Sequence, residues 1–407
     1  MLLRSIFKIG SVQILTALHG LLFTFLAARY LSPEMFGELR FALLVLPFLM
    51  VATLPTFDNI VLREAASGSN LSLQSIVKVR FIFACVGAIF LALVSIYFRD
   101  NIANELFYSL FILVLILPFY EVTTSFKNFL IGKGLGDSSL KIQRRNKFFS
   151  IILILFLVPL FSQFNVSSIS FLIVFLLSTT LPNFITNYYF KLRESFREAK
   201  YEKVSVSLIK EAIYTSLASV FWLASYAFDK FVVERKLGVE FLAYYSILVM
   251  LPFLIAQLID SLVVLFYRRI FLIQTSIFSS KFVFYLFLIL TLVILFYGNF
   301  VYFFYPLIFG EFYRYSLALS MLSGLLIISG SFEFFFIQYL YRLKKKFVIF
   351  GYNLSSLLLL CLVLLLILDD INLYILITVL VIKQIFLPVL VVFFNSVYDK
   401  FMPLKPL

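Results

Sequence analysis

Twelve largely apolar runs follow one another along this chain, separated by short polar interruptions, at 6–28, 35–57, 81–98, 106–126, 148–163, 168–190, 208–229, 240–266, 282–305, 315–340, 347–368 and 371–396. A helix needs roughly 20 apolar residues to cross hydrocarbon, where every backbone polar group must be paired within the segment. The fifth run is short, and the eighth is long enough to tilt. Composition agrees: 63% of the 407 residues are hydrophobic and 14% charged. A water-soluble domain is about half apolar and about a quarter charged. The expected fold class is therefore an all-α polytopic membrane protein with twelve transmembrane helices.

The basic residues give an orientation, because Lys and Arg collect in cytoplasmic loops. With the N-terminus placed in the cytoplasm, strict alternation puts 26 of the 34 Lys and Arg residues inside and seven outside, with Lys383 left within the twelfth run. The expectation is N-in and C-in. The net charge of +13 sits in short clusters between apolar runs, so it reads as a topology signal. A nucleic-acid binder would need a soluble basic face, and none is expected. The first run is about 20 residues, longer than the roughly 7–15 of a cleaved signal peptide, and is expected to remain as a helix. Ser32-Pro33-Glu34 reads as the start of the second helix: an N-cap, a proline at the first helical position and an acid in the first turn.

The longest polar stretch, "KLRESFREAKYEKVSVS" at 191–207, divides the helices six and six. Residues 1–190 are expected to form one six-helix bundle, 191–207 a cytoplasmic linker and 208–407 a second six-helix bundle. Internal repeats are common in transporters. "LPFLMVATLPTFDNIVL" (46–62) and "LPFLIAQLIDSLVVL" (251–265) match in helices two and eight. Each carries an aspartate after the proline, Asp58 and Asp260, expected to keep a similar face. Glu121 in helix four and Glu333 in helix ten form a second matched pair.

No motif of an enzyme is present: no Walker A, no GxSxG, no HExxH and no paired cysteines. Catalysis, a cofactor and a metal site are not expected. The polar residues within the apolar runs carry the information, since such groups are costly in lipid and mostly face a bundle interior. His19 could be a relay, a substrate donor or a plain interhelical hydrogen bond. Arg29 ends helix one as a cavity group or an interface anchor. Asp229 and Lys230 end helix seven. Asp58, Glu121, Asp260 and Glu333 lie toward the cytoplasmic ends of their helices. They read either as interface salt bridges, Asp58 with Arg63 above all, or as a gate or cation site. Lys383 lies mid-span, where snorkelling reach is poor, and an internal partner is expected.

"AARYLSPEMFGELRFALLVLP" (27–47), "FDNIVLREAA" (57–66) and "SYAFDKFVVERKLGVEFLAYYSILVMLP" (225–252) resemble polysaccharide-repeat flippases of the Wzx type, within the multidrug/oligosaccharidyl-lipid/polysaccharide exporter superfamily. The resemblance is most specific at Leu31, Ser32, Pro33 and Gly37, at Asp58 and Arg63, and at Asp229-Lys230 with Gly238 and Tyr245. It implies two bundles around a V-shaped cavity lined largely by helices one, two, seven and eight. His19, Arg29, Asp229 and Lys230 would be the cavity candidates, with Asp58, Arg63, Glu121, Asp260, Glu333 and Lys383 for gating or ion coupling. The implied substrate is an undecaprenyl-pyrophosphate-linked oligosaccharide of O-antigen or capsule type, flipped across a bacterial cytoplasmic membrane. A glycan polymerase and a chain-length regulator are the implied partners beside membrane lipid. Two other readings stay open: a cation-coupled multidrug antiporter of the same superfamily, and a membrane glycan polymerase or ligase. The short outer loops argue against the last of these.

Overall fold

The structure, a computed structural model, describes residues 2–66, 73–97, 99, 104–120, 122–164, 166–195, 204–270, 280–342, 346–366 and 372–401. Every regular element among them is helical. In chain order these are α1 (Leu2–Tyr30), α2 (Pro33–Met50), α3 (Phe57–Ala66), α4 (Leu73–Tyr97), α5 (Asn104–Tyr120), α6 (Phe126–Gly132) and α7 (Gly136–Phe164). Then follow α8 (Ser168–Ser195), α9 (Val206–Leu237), α10 (Val239–Ile270), α11 (Ser280–Phe309), α12 (Leu317–Arg342), α13 (Lys346–Leu366) and α14 (Leu373–Phe401). Ten helices among the described residues are long and apolar enough to cross a membrane. Two further apolar segments, 107–120 and 351–364, are shorter. Large apolar side chains stand outward: Phe90 is 69% exposed and Phe296 78%. In water such a surface would aggregate; in a bilayer it is the solvent-facing side. The chain is a multi-pass membrane protein.

The helix start after α1 forms as the sequence leads one to expect. Ser32 Oγ accepts from the Met35 amide at 3.3 Å, Pro33 takes the first helical position and Glu34 stands in the first turn.

The second apolar run, by contrast, is not one helix over 35–57. α2 stops at Met50, a 3₁₀ turn fills 51–53, and Leu54 takes a left-handed backbone (φ 53°) before Pro55. Proline disfavours the α conformation in the residue before it and offers no amide to a continuing helix. Thr53 Oγ1 donates to the Met50 carbonyl at 2.8 Å, covering one end of the break. The run at 106–126 breaks similarly: α5 ends at Tyr120, a 3₁₀ turn spans 122–124 and α6 begins at Phe126. Their counterparts in the second half, α10 and α12, continue unbroken, α10 even past Pro252. The matched "LPFL" segments thus diverge after the proline. A common face for Asp58 and Asp260 does not follow from spacing, because the helical phase is lost at Leu54.

Two compact units make up the chain, Met1–Leu223 and Ala224–Leu407, with the division inside α9. In the first unit, the start of α9 closes over the α2 break. Leu54, Phe57, Ile60, Val61 and Ile76 pack with Ala212, flanked by Leu208 and Ile213. Thr56 Oγ1 lies 2.7 Å from both Thr215 Oγ1 and Ser216 Oγ. α4 presses on the same break: a Cβ at Gly87 would fall 2.2 Å from the Ala52 methyl. In the second unit α12 is central, packing on α10, α11, α13 and α14.

Candidate functional site

Two polar constructions stand out, one in each unit. In the first unit, Arg80 on α4 is fully buried. Its Nε donates to the Thr53 carbonyl at 2.9 Å, and its Nη1 donates to Asp58 Oδ1 and to Ser125 Oγ, each at 2.7 Å. Thr53 and Asp58 flank the α2 break and Ser125 lies in the α5 break, so one guanidinium joins both interruptions. The helix breaks leave carbonyls unpaired, and a planar fork of fixed donors suits them. Asp58 therefore does not pair with Arg63, as its place in sequence suggested. Residues 58 and 63 sit on different sides of α3, and Arg63 turns to α9. There it makes a two-pronged contact with Glu211, Nη1 to Oε1 at 2.9 Å and Nη2 to Oε2 at 3.0 Å, with Glu64 Oε1 at 3.2 Å from Nη2. Its hydrogen bonds to Glu211, opposed by slight burial, raise its pKa above the ordinary arginine range.

His19 is buried on α1, with Nε2 3.3 Å from Ser178 Oγ on α8. Ser178 Oγ also lies 2.9 Å from the Phe175 carbonyl, its acceptor. With that hydroxyl proton committed, the imidazole N–H is the donor to Ser178, an interhelical hydrogen bond. Arg29 is exposed in the last turn of α1. Glu121 lies outside the described residues, as does the side chain of Asp260, whose backbone continues α10.

The second unit holds a polar track of two clusters, one turn apart along α9. Asp229 on α9 is 1% exposed. Tyr245 on α10 donates to its Oδ2 at 2.5 Å, and Lys230 Nζ lies 3.3 Å from both of its oxygens. Neighbouring helical residues diverge by about 100°, yet the lysine stem folds back far enough to meet the aspartate. Its Nζ also donates to the Tyr226 carbonyl at 3.0 Å and sits 4.8 Å from the Tyr226 ring centroid.

One helical turn earlier on α9, Ser225 bonds Ser356 of α13 at 2.6 Å and accepts from Lys383 Nζ of α14 at 3.4 Å. Lys383 is 5% exposed, and its ammonium lies 3.5 Å from Glu333 Oε1 on α12. Tyr352 of α13 donates to the same Glu333 oxygen at 2.9 Å. Ser329 donates to Gln384 at 2.6 Å beside them.

Five helices thus contribute to a largely buried polar region made of these two clusters, with two carboxylates, two ammonium groups and two phenols. Chemically it can exchange charge partners: Glu333 can hold Lys383 or a different cation, and Lys383 has Ser225 as a second resting place.

Sequence reasoning brought Asp229, Lys230, Glu333 and Lys383 forward, and these fall into the track. It passed over Arg80, Ser225, Tyr352 and Gln384. Arg80 carried a readable signal: Leu73, Ile76, Arg80, Ala84 and Ala88 form one stripe at helical spacing, and all five are buried. Tyr352 carried none, being one of 23 tyrosines.

No protein-family model matches the sequence, and no curated protein sequence does. Solved structures do match in fold. An outward-facing multidrug resistance MATE family transporter of the MOP superfamily aligns with a TM-score of 0.62 at 14% identity, over 98% of this chain and 96% of that one. An inward-facing multidrug resistance MATE family transporter of that superfamily aligns at 0.63 with 13% identity, over 96% and 94%. A MOP superfamily transporter from Pyrococcus furiosus, for which a binding pocket of reverse polarity suggests a different function, aligns at 0.60 with 14% identity, over 99% and 96%. The chain has the fold of these transporters from end to end.

Proposed function

We propose that this chain is a secondary exporter that moves amphipathic solutes across a bacterial cytoplasmic membrane by alternating access, coupled to a cation as in a multidrug antiporter. The observation that carries this reading is the end-to-end likeness to multidrug transporters in both outward- and inward-facing states. Counting 107–120 and 351–364 as spans gives twelve, with both termini cytoplasmic and six helices on each side of the 191–207 segment.

In this reading the coupling site is Glu333 with Lys383 and Tyr352. A carboxylate beside one ammonium is a mutually exclusive site: an incoming cation displaces Lys383 toward Ser225, and its departure lets the lysine return. A charged group within a membrane bundle is costly, so it is a functional-site candidate by default, together with its partner. His19, Arg29, Asp229 and Lys230 remain the substrate-side candidates, with Asp58, Arg63, Glu121 and Asp260 as gate candidates.

A second reading, the flipping of a lipid-linked oligosaccharide of O-antigen or capsule type, has its own support. Asp229 and Glu333 each come with a lysine, so this unit is not a bare acidic cavity awaiting an organic cation. A lysine released from its carboxylate would meet a phosphate as a point charge. That reading also carries the resemblance at 27–47, 57–66 and 225–252, and with it a polymerase and a chain-length regulator as partners.

The deciding experiment places the full chain in proteoliposomes loaded with ethidium. Export driven by an imposed proton or sodium gradient, and lost in Glu333→Gln, is the expected result. Gradient-independent exposure of a polyprenyl-pyrophosphate oligosaccharide on the far leaflet, with no ethidium movement, would overturn it in favour of the second reading.

A further inference from the structure

On the first unit, α4, α5 and α8 enclose a groove of about 540 Å³, within the size range of small-ligand sites. Its body is aromatic. Phe81, Phe119 and Phe184 form a continuous wall, with ring centroids 5.6 Å apart from Phe81 to Phe119 and 6.2 Å from Phe119 to Phe184. All three are well exposed, at 38%, 41% and 46%.

Its other end is polar. Lys78 and Gln74 stand on α4 one and two turns before Phe81, and Asn187 and Tyr188 stand on α8 one turn beyond Phe184. The two helices run oppositely here, so both polar pairs mark the same end of the groove. Among the described lining residues none is a carboxylate, and Lys78 is the one charge. The basic clusters nearby, Arg63 to Arg80 and Lys191 onward, assign that end to the cytoplasmic leaflet.

We propose that this groove binds an anionic glycerophospholipid of the inner leaflet, with an acyl chain along the three phenylalanines and the phosphate at Lys78. The occupant must be amphipathic, because the groove itself is. It is taken as anionic because, among the described lining residues, the polar end carries the Lys78 ammonium and no acid. Basic pockets between helices on the cytoplasmic side recognise acidic head groups in this way. The site does not depend on what the protein transports, only on its lying in a membrane.

The test uses the full chain with its single tryptophan replaced (Trp222→Phe) and a reporter placed in the groove (Phe184→Trp). Reconstitution is into phosphatidylcholine vesicles containing either brominated phosphatidylglycerol or brominated phosphatidylcholine. Quenching should give phosphatidylglycerol an advantage of about fivefold, the ratio expected from one lysine near an acidic head group. Lys78→Gln should bring the ratio close to one, while Lys133→Gln, an exposed lysine outside the lining, should leave it alone. Raising salt should weaken the preference. Equal quenching by the two lipids, quenching by neither, or a preference that survives Lys78→Gln would each overturn the proposal. Phe81→Trp, read in the same vesicles, guards against a reporter that distorts the groove.

Discussion

Arg80 Nη1 lies 2.7 Å from Asp58 Oδ1, and the arginine that reaches it has no exposed surface. The aspartate side chain is 18% exposed, so the more buried member of the pair is the cation. Its remaining contacts, to the Thr53 carbonyl and Ser125, tie both broken helices to α4. Removing one member of a buried pair costs about 3–5 kcal/mol, because its partner stays behind uncompensated. Asp58→Asn should therefore destabilise the protein by about that amount in SDS-induced unfolding from micelles. Arg80→Met in the same chain should restore part of the loss. Arg80→Lys should fall between, since an ammonium lacks the fork that serves three acceptors at once. A cost below about 1 kcal/mol for Asp58→Asn would mean that packing alone holds the breaks.

The Arg63–Glu211 contact should behave differently although it is also two-pronged. The Arg63 side chain is 54% exposed and that of Glu211 35%, so solvent screens the pair. Exposed pairs contribute about 0–1 kcal/mol. Arg63→Gln should cost no more than that, and less in high salt. The pH response follows from the raised pKa of Arg63, chiefly due to its bonds to Glu211. A raised folded-state pKa stabilises below the unfolded value and is lost only as pH rises through the folded one. For arginine that window lies far above neutrality. Between pH 6 and 9 the difference between wild type and Arg63→Gln, measured by thermal melting, should stay constant.

Contrasting these two arginines shows what sequence could reveal. Spacing along the chain put Asp58 near Arg63, and the fold instead gave each a partner from another helix. The apolar runs were legible because lipid imposes length and internal pairing on every span. The first break is legible in principle, since Leu54-Pro55 is a standard interruption, but an apolar run masks it when counted by hydropathy; proline does not mark the second, because Pro118 lies within α5. Arg80 is legible as a member of a buried stripe, but an assignment of basic residues to loops by charge alone hides it. For Lys383, the need for a partner could be read from its depth in the last run. Which carboxylate answers it could not, since Glu333 lies fifty residues away on another helix and only packing of α12 on α14 brings them together.

That pair supports a prediction about order of loss. Glu333→Gln leaves the buried Lys383 ammonium with Ser225 alone, whereas Lys383→Met leaves Glu333 with the Tyr352 hydroxyl. The lysine is the more buried member, 6% exposed against 16%. Glu333→Gln should thus be the more damaging single change, costing about 3–5 kcal/mol, with Lys383→Met costing less. The double variant should recover much of it, because two neutral side chains need no counter-charge. Unfolding of the three variants in micelles checks the ranking. Equal losses with no recovery in the double variant would show that the two residues act independently.

The last prediction concerns the contact that lets α4 approach the α2 break. A Cβ on Gly87 would fall 2.2 Å from the Ala52 methyl and 3.6 Å from its Cα, with Leu117 at 3.9 Å behind it. The near atom is a short methyl on the 3₁₀ turn, so no flexible side chain can swing aside. Either α4 or the turn must move, and both are held by Arg80 through Thr53. Overpacking of this kind costs about 1–3 kcal/mol, and Gly87→Ala should show it as a lower midpoint in the same unfolding assay. Moving the methyl group across the contact, as Gly87→Ala with Ala52→Gly, restores the volume. Recovery should be incomplete, because glycine in a helical turn loses roughly 0.5–1 kcal/mol relative to alanine. If the single and double variants unfold alike, the α4 approach is looser than the Gly87–Ala52 spacing requires, and Arg80 alone would set the distance between α4 and the break.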